Sequence, residues 1–530
     1  MNGTGVSNQA QVDLVAVNKT LTSTETSSTV TANGATIDDL EEGILVRIFE
    51  HVLGEACHAW DSVFGRRFED NCHMEPTCIE GFAHGLVLPQ VSKRWERIVK
   101  SYSGLWDRVY VDTVADQEEG YDEICPLPSS VCLPWWVNHA QKLKSVHLKG
   151  NSAGSDGGLG MYNMGLLSLL SGPTLQILHL DDCFETGASD RIIPILKRFV
   201  NLAQLRLMRV DGSFIERISE LCEIKSLKRL ELQGMENGVV EMNTSGLPDS
   251  LEVLGLALVG IAGGLDAGRT PLTSLKILKL VHVDWQGSFC NHISRLTQLE
   301  GIVINNVFLA EHREALASWH QMGALESLRH LEVGGEHEPA FSQCAGERAI
   351  ESLPFRDLTK LCLKFQSRSS AGFVNRHGQF SQLTRLYLEC FDFGTIPESI
   401  LELTHLEQLG LVDCELATFP RVADVWVNKL TLLDISKNRL VEFPKAVTRL
   451  TSLTDLNVAH NDSIVYKSVN CLADLSELLT LRLLDGERLM FEFDNPEALE
   501  LRFRSKLEAY RMGSLFTMLQ VKNPHCHLYL

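Results

Sequence analysis

Two groups of residues in this 530-residue chain carry side chains capable of chemistry, and a third is missing. The first is Cys57-His58, Cys72-His73, Cys78 and His84, with enough sulfur and nitrogen to hold a zinc ion. Zinc sites are built on close pairs such as Cys-x2-Cys, whose spacing lets both thiolates reach one metal. Adjacent Cys and His side chains point apart, and no Cys-x2-Cys occurs anywhere, so no metal is expected here or at His525-Cys526-His527. The second group is Lys360, Lys364, Arg385 and Tyr387, cations and an aromatic suited to carboxylate or phosphate groups. The third would be a nucleophile or phosphate-binding motif. No Gly-rich loop lies between strand and helix, and neither a serine elbow nor His-Glu-x-x-His is present. The expectation is a non-catalytic protein without cofactor.

Composition narrows the partners. A net charge of −20 argues against a general grip on nucleic acid or anionic membrane, each of which needs a basic field. No run of eighteen apolar residues occurs, so no membrane span is expected. The 14 cysteines are scattered singly and no leader-like segment opens the chain, which points to reduced thiols in cytoplasm or nucleus.

The elements that must position these residues emerge from self-similarity. The frame Leu-x-x-Leu-x-Leu-x-x-(Cys/Asn/Val) recurs, as in Leu175, Leu178, Leu180, Cys183 and in Leu430, Leu433, Ile435, Asn438. Copies open at Leu143, Leu175, Leu202, Leu227, Leu251, Leu275, Leu299, Leu328, Leu358, Leu383, Leu406, Leu430, Leu453 and Leu478. That makes about fourteen, mostly about 23–25 residues apart, the signature of leucine-rich repeats. Residues two apart on a short strand share a face, so Leu178 and Leu180 point inward while Ile177, His179 and Asp181 point out. The last position of the frame tucks under the turn, where Asn438 would bond backbone groups left unpaired. The expected fold is an α/β horseshoe solenoid over 141–490 with a parallel sheet on its concave face and a C-terminal cap over 491–530. Stretched spacings near Phe308–Ala324 and Gly334–Pro354 are expected to be rim insertions.

The N-terminal part has a different pattern. Residues 1–36 are rich in Ser and Thr and too poor in apolar residues for a core, so a disordered tail is expected. From 37 to 110, Leu40, Ile44, Leu45, Ile48, Phe49 and Val52 make one helical stripe and Leu88, Val91, Trp95 and Ile98 a second, followed by Leu105-Trp106. An insertion at about 54–85 separates the stripes, and an acidic linker and cap over 111–140 leads into the repeats. The run Leu40-x3-Ile44-Leu45-x2-Ile48-Phe49-x2-Val52, then Val91-Ser92-Lys93-Arg94-Trp95, then Leu105-Trp106, resembles an F-box, departing from that pattern at Glu41 and Gly43. The resemblance implies a small all-helical module and a substrate receptor of a Skp–cullin–F-box ubiquitin ligase. In such a receptor Leu40, Ile44, Leu45, Ile48, Phe49, Val52, Val91, Trp95, Leu105 and Trp106 would meet the Skp adaptor, and through it the cullin–RING ligase. Alternatively these helices only cap a leucine-rich-repeat scaffold for intracellular signalling.

The frame also names the exposed strand positions. In the fifth to seventh copies these include Val253, Gly255, Ala257, Ile277, Val281, Gly301 and Val303, read as an exposed apolar floor. In the ninth and tenth they are Lys360, Lys364, Arg385 and Tyr387. A protein substrate with an acidic or phosphorylated segment is expected to cross both.

Overall fold

The computed structural model describes residues 108–112, 140–149, 164–183, 189–235, 240–242, 244–262, 265, 272–286, 289–309, 324–334, 357–370, 380–419, 424–461, 475, 477–482, 515, 518 and 527–529. All of them fall in one compact unit, Trp106–Leu530. Residues 37–107 of the F-box-like module, which include the cysteine- and histidine-rich insertion, and the two-tryptophan segment Trp135-Trp136 lie outside the described residues; the last three residues of the expected helical span, Arg108 to Tyr110, are in a strand.

Among the described residues sixteen strands form one parallel sheet whose order follows the chain, each strand reached from the last by a crossover connection. In the second copy the pattern Leu-x-Leu makes the strand Ile177–Asp181, with Leu178 and Leu180 buried and their neighbours half-exposed. The same alternation recurs in Gln204–Val210, Arg229–Gly234 and His330–Gly334. Each copy sinks at least three Leu, Ile or Val side chains to near zero exposure, worth about 2 kcal/mol apiece. Such a stack gains its core one copy at a time, each resting on its neighbours. The sheet extends beyond the span 141–490 at both ends. Arg108–Asp112 pairs in parallel with Ser145–Lys149, and His527–Tyr529 pairs with Thr480–Arg482. His527 therefore belongs to a strand.

In nine copies the strand runs into a left-handed residue at one fixed position of the frame. Asp182, Arg209, Leu258, His282, Asn306, Cys390, Asp413, Lys437 and His460 all have φ between 51° and 63°, and all hold the eighth position of the frame. Left-handed backbone costs an L-residue about 1–2 kcal/mol, so contacts on the far side of the turn must hold it in place.

Two devices do so, one built on the side chain of the ninth position and one on backbone. Asn438 is buried and makes five bonds to backbone. Its Oδ1 accepts from the N–H groups of Cys414 and Leu416, at 2.9 and 3.0 Å. Its Nδ2 donates to the carbonyls of Leu411, Ile435 and Ser436. Asn461 repeats the arrangement one copy on, donating to Ile435, Val458 and Ala459 and accepting from Leu440. Cysteine does half of this work. Cys414 Sγ lies 3.4 Å from the Leu388 carbonyl and 3.3 Å from that of Val412, and Cys183 Sγ lies 3.0 Å from Leu148 and 3.2 Å from Asp181. The first carbonyl of each pair is the one the asparagine reaches, on the preceding copy. Burial pushes the Cys414 thiol well up, which keeps it in the protonated form that donates.

Valine and methionine have no such proton. Met235, Val259, Val283 and Val307 occupy the ninth position in four consecutive copies. There a second parallel sheet replaces the side-chain bonds, made of Val240–Met242, Val259–Ala262, Asp284–Gln286 and Phe308–Leu309. Inter-copy pairing thus passes from side chain to backbone where the donor is lost. Phe308-Leu309, expected in a rim insertion, is part of this sheet; most of the two expected insertions lies outside the described residues.

Candidate functional site

The strand register sets three columns of side chains on the concave face. The middle column runs His147, His179, Arg206, Glu231, Gly255, Lys279 and onward to Val303, Glu332, Cys362, Tyr387 and Gly410. Val253, Ile277, Lys360 and Arg385 fall in one flanking column, and Ala257, Val281 and Lys364 in the other. Every concave-face residue expected from the frame is therefore on the strand position assigned to it.

Their exposure differs from expectation. Val281 and Val303 are buried, at 5% and 8%, and Val253, Ala257 and Ile277 are only half-buried. The apolar floor is a packed layer rather than an open patch. Parallel strands lie about 4.8 Å apart, so a side chain covers its neighbour's strand as well as its own. Glu231 lies across Gly255, where an added Cβ would come within 3.1 Å of its Cγ. Lys279 stands exposed in the middle of the floor.

A cluster of ionisable groups that the repeat frame does not single out occupies the third and fourth copies. Arg229 donates to Glu231 Oε1 from Nε at 3.0 Å and from Nη2 at 2.5 Å, and Arg206 Nε lies 3.4 Å from Glu231 Oε2. Burial alone would raise the Glu231 carboxyl, but Arg229 and Arg206 outweigh it and hold it below the usual carboxylate range. Next to Arg206 sits His179, whose ring meets that of His147 edge-on at 5.9 Å. Burial, reinforced by Arg206 and Arg229, lowers the His179 pKa to about 3, so this imidazole is neutral at pH 7. The frame gives the positions of these residues; their mutual packing needs the register.

The second cluster lies where the frame puts it. Lys360 and Arg385 are directly paired across adjacent strands. Burial, with the neighbouring Arg385, lowers the Lys360 ammonium. Lys364 Nζ stands 5.2 Å over the Tyr387 ring, within reach of a cation–π attraction. Tyr387, expected as an exposed contact, is 4% exposed. Its ring occupies the space above Gly410, where an added Cβ would sit 2.2 Å from Cδ2. Tyr387 is thus a platform beneath Lys364, and Gly410 is what lets it lie flat. Glu332, held below its usual range against the opposing effect of burial by His330, Lys364 and Lys279, closes the near side.

Beyond the eleventh copy the face changes character. Asp434 accepts from Ser436 N and Oγ at 2.9 and 2.6 Å and from Asn457 Nδ2 at 3.0 Å, a closed polar network. Among the described residues no group of three or more His, Cys, Asp or Glu is placed to hold a metal ion, and no helix is long and apolar enough to cross a membrane. The residues expected to meet Skp, namely Leu40, Ile44, Leu45, Ile48, Phe49, Val52, Val91, Trp95, Leu105 and Trp106, lie outside the described residues.

No protein-family model and no curated protein matches the chain. Among solved structures, 296 chains do. A leucine-rich-repeat protein of Leptospira interrogans shares 19% identity, covering 73% of this chain and 90% of its own, with a TM-score of 0.43. An internalin of Listeria monocytogenes shares 15% over 66% of this chain and 83% of its own, with a TM-score of 0.34. A plant peptide hormone receptor, RGFR1, in complex with RGF2, shares 17% over 64% of this chain and 59% of its own, with a TM-score of 0.33. These chains share the repeat class and carry nothing about what the present one binds. The fold itself is that of a leucine-rich-repeat array with one long parallel sheet.

Proposed function

We propose that this chain is the substrate-recognition subunit of a Skp–cullin–F-box ubiquitin ligase, acting in cytoplasm or nucleus and contributing no catalytic group itself. The supporting observation is the junction. Leu105-Trp106, the end of the F-box-like run, stands immediately before Arg108–Asp112, the first strand of the sheet. The F-box-like run therefore leads straight into a strand of the sheet, and the acidic stretch expected as a linker falls in the sequence between that strand and Ser145–Lys149. In this reading Ile44, Leu45, Ile48 and Phe49 dock the Skp adaptor, and the concave face holds a protein for ubiquitin transfer by other subunits. Affinity purification of the full chain is the test. Skp and cullin should be recovered with the wild type and lost with Ile48→Ala/Phe49→Ala at equal expression. Wild-type chain that expresses normally and brings down no Skp overturns the proposal.

A second reading makes the chain a scaffold for intracellular signalling, its N-terminal helices serving only as a cap. The regular late copies favour it. Asn438 and Asn461 with Phe443-Pro444 resemble the repeats of such scaffolds, and both asparagines are fully bonded at the turn. Absence of Skp in the same purification favours this second reading.

A further inference from the structure

The concave face carries a charge opposite to that of the chain. Between the third and tenth copies its strand positions hold six cations, Arg206, Arg229, Lys279, Lys360, Lys364 and Arg385. Three carboxylates, Glu231, Glu332 and Glu389, face the same way. The excess is positive on a protein whose net charge is −20. Elsewhere on that face the strand positions come near to balance, with Lys149 paired to Asp181 at one end and Asp434, Asp455 and Arg482 at the other. The excess of positive charge therefore lies in a stripe.

Within the stripe the cations form two ends and a midpoint. Arg206 and Arg229 share one carboxylate, Glu231, which leaves that end net positive. Lys360 lies directly beside Arg385; burial first, and the like charge of Arg385 second, depress the Lys360 ammonium, and an arriving anion offsets that like charge. Lys279 stands exposed between the two ends. From Arg229 in the fourth copy to Lys360 in the ninth is five strand steps, about 24 Å at about 4.8 Å per step. An extended chain covers that distance in about seven residues. Half-buried Val253 and Ile277 lie along the way.

We infer that the concave face takes an extended protein segment with anionic side chains at both ends, about seven residues apart, and small or apolar residues between. The segment crosses the strands, one end over Arg206 and Arg229 and the other over Lys360 and Arg385. A nucleic acid is the other polyanion to weigh. The negative field of the whole chain opposes it, and its charge is continuous, whereas the cations here are grouped with apolar positions between. The inference deepens the receptor reading by naming the class of its substrate, and rests on it only for the biological use of the segment.

The test is fluorescence anisotropy on the full chain with synthetic peptides at about 0.1 M salt. One peptide carries Glu pairs at both ends of a seven-residue spacing, a second has phosphoserine in place of the Glu pairs, a third has Glu at one end only, and a fourth has the spacing shortened to three. The two-ended peptides should bind at least tenfold more tightly than the one-ended and the shortened ones, and whichever of the first two is tighter identifies carboxylate or phosphate as the preferred anion. Lys279→Glu and Lys360→Glu, both on partly exposed side chains that leave the core intact, should each weaken the two-ended peptides by about tenfold. Equal binding of one-ended and two-ended peptides, no binding of the two-ended peptides, or tighter binding of a single-stranded oligonucleotide overturns the inference. Skp recovery from the same preparations is read separately: it should survive Lys279→Glu, while Ile48→Ala/Phe49→Ala should abolish it and leave peptide binding intact. Failure of one reading is thereby distinguished from failure of the other.

Discussion

Replacing Asn438 should open the array locally, and the structure sets both the size and the place of the effect. Of its five backbone partners, the Ile435 carbonyl also accepts from Asn461 and the Ser436 carbonyl also accepts from Asp413 N. The groups that depend on Asn438 are the N–H of Cys414, the N–H of Leu416 and the carbonyl of Leu411. A buried polar group without a partner costs about 1–3 kcal/mol. Asn438→Val strands all three and should cost on the order of 3–9 kcal/mol. Asn438→Cys should restore a donor to Leu411, as Cys414 supplies one to Leu388, and leave two N–H groups stranded, for roughly 2–6 kcal/mol. Hydrogen–deuterium exchange resolved by peptide is the assay, because a repeat array opens in pieces. Amides in 409–440 should exchange at least about a hundredfold faster in Asn438→Val, with Asn438→Cys between it and the wild type. Amides in 178–207 should not change. Unaltered exchange over 409–440, or equal acceleration at both ends, would refute the assignment of Asn438 as an inter-copy tie.

Two further outcomes bear on the concave face. Gly410→Ala should drive the Tyr387 ring out of its place, costing about 1–3 kcal/mol by overpacking; a urea midpoint equal to that of the wild type would show that the ring yields freely. The His179 pKa is about 3 in the folded chain against an ordinary value of 6.5, so its contribution to stability is present above pH 6.5 and is lost as pH falls toward 3. Between pH 7 and pH 5, before carboxylates titrate, that loss should be about 2 kcal/mol. His179→Gln should remove this part of the pH dependence, as read from urea midpoints at the two values; parallel profiles for variant and wild type would count against the burial of a neutral ring.

How much is legible in the sequence varies with the kind of interaction. The Leu-x-x-Leu-x-Leu spacing places each strand because an alternation of two has one solution on a half-buried surface. Asn438 is readable because an amide at a turn has an evident use. The second sheet is not anticipated by the frame. Its signal lies in Met235, Val259, Val283 and Val307, four successive ninth positions without a donor, with Val240, Ile261 and Trp285 shortly after them. Taking valine for a looser version of asparagine overlooks that backbone groups must still be paired. The open apolar floor fails for a different reason. Alternation says which way Val281 and Val303 point, but exposure depends on the neighbours one strand away, as with Glu231 over Gly255. The pairing of Arg206, Arg229 and Glu231 is also a matter of register, which one strand's sequence does not contain.

The second sheet has a mechanical consequence. In the fourth to seventh copies each repeat is tied to the next along two walls, whereas at Cys183, Cys414, Asn438 and Asn461 it is tied along one wall and by side-chain bonds. Bending or stretching should therefore be taken up in the single-walled copies first, leaving the double-walled stretch as a stiff beam. That beam spans much of the distance from Arg229 to Lys360. The interval between the two groups of cations is then held largely by main chain, and substituting the side chains between them should alter how tightly a segment is held far more than how long a segment fits.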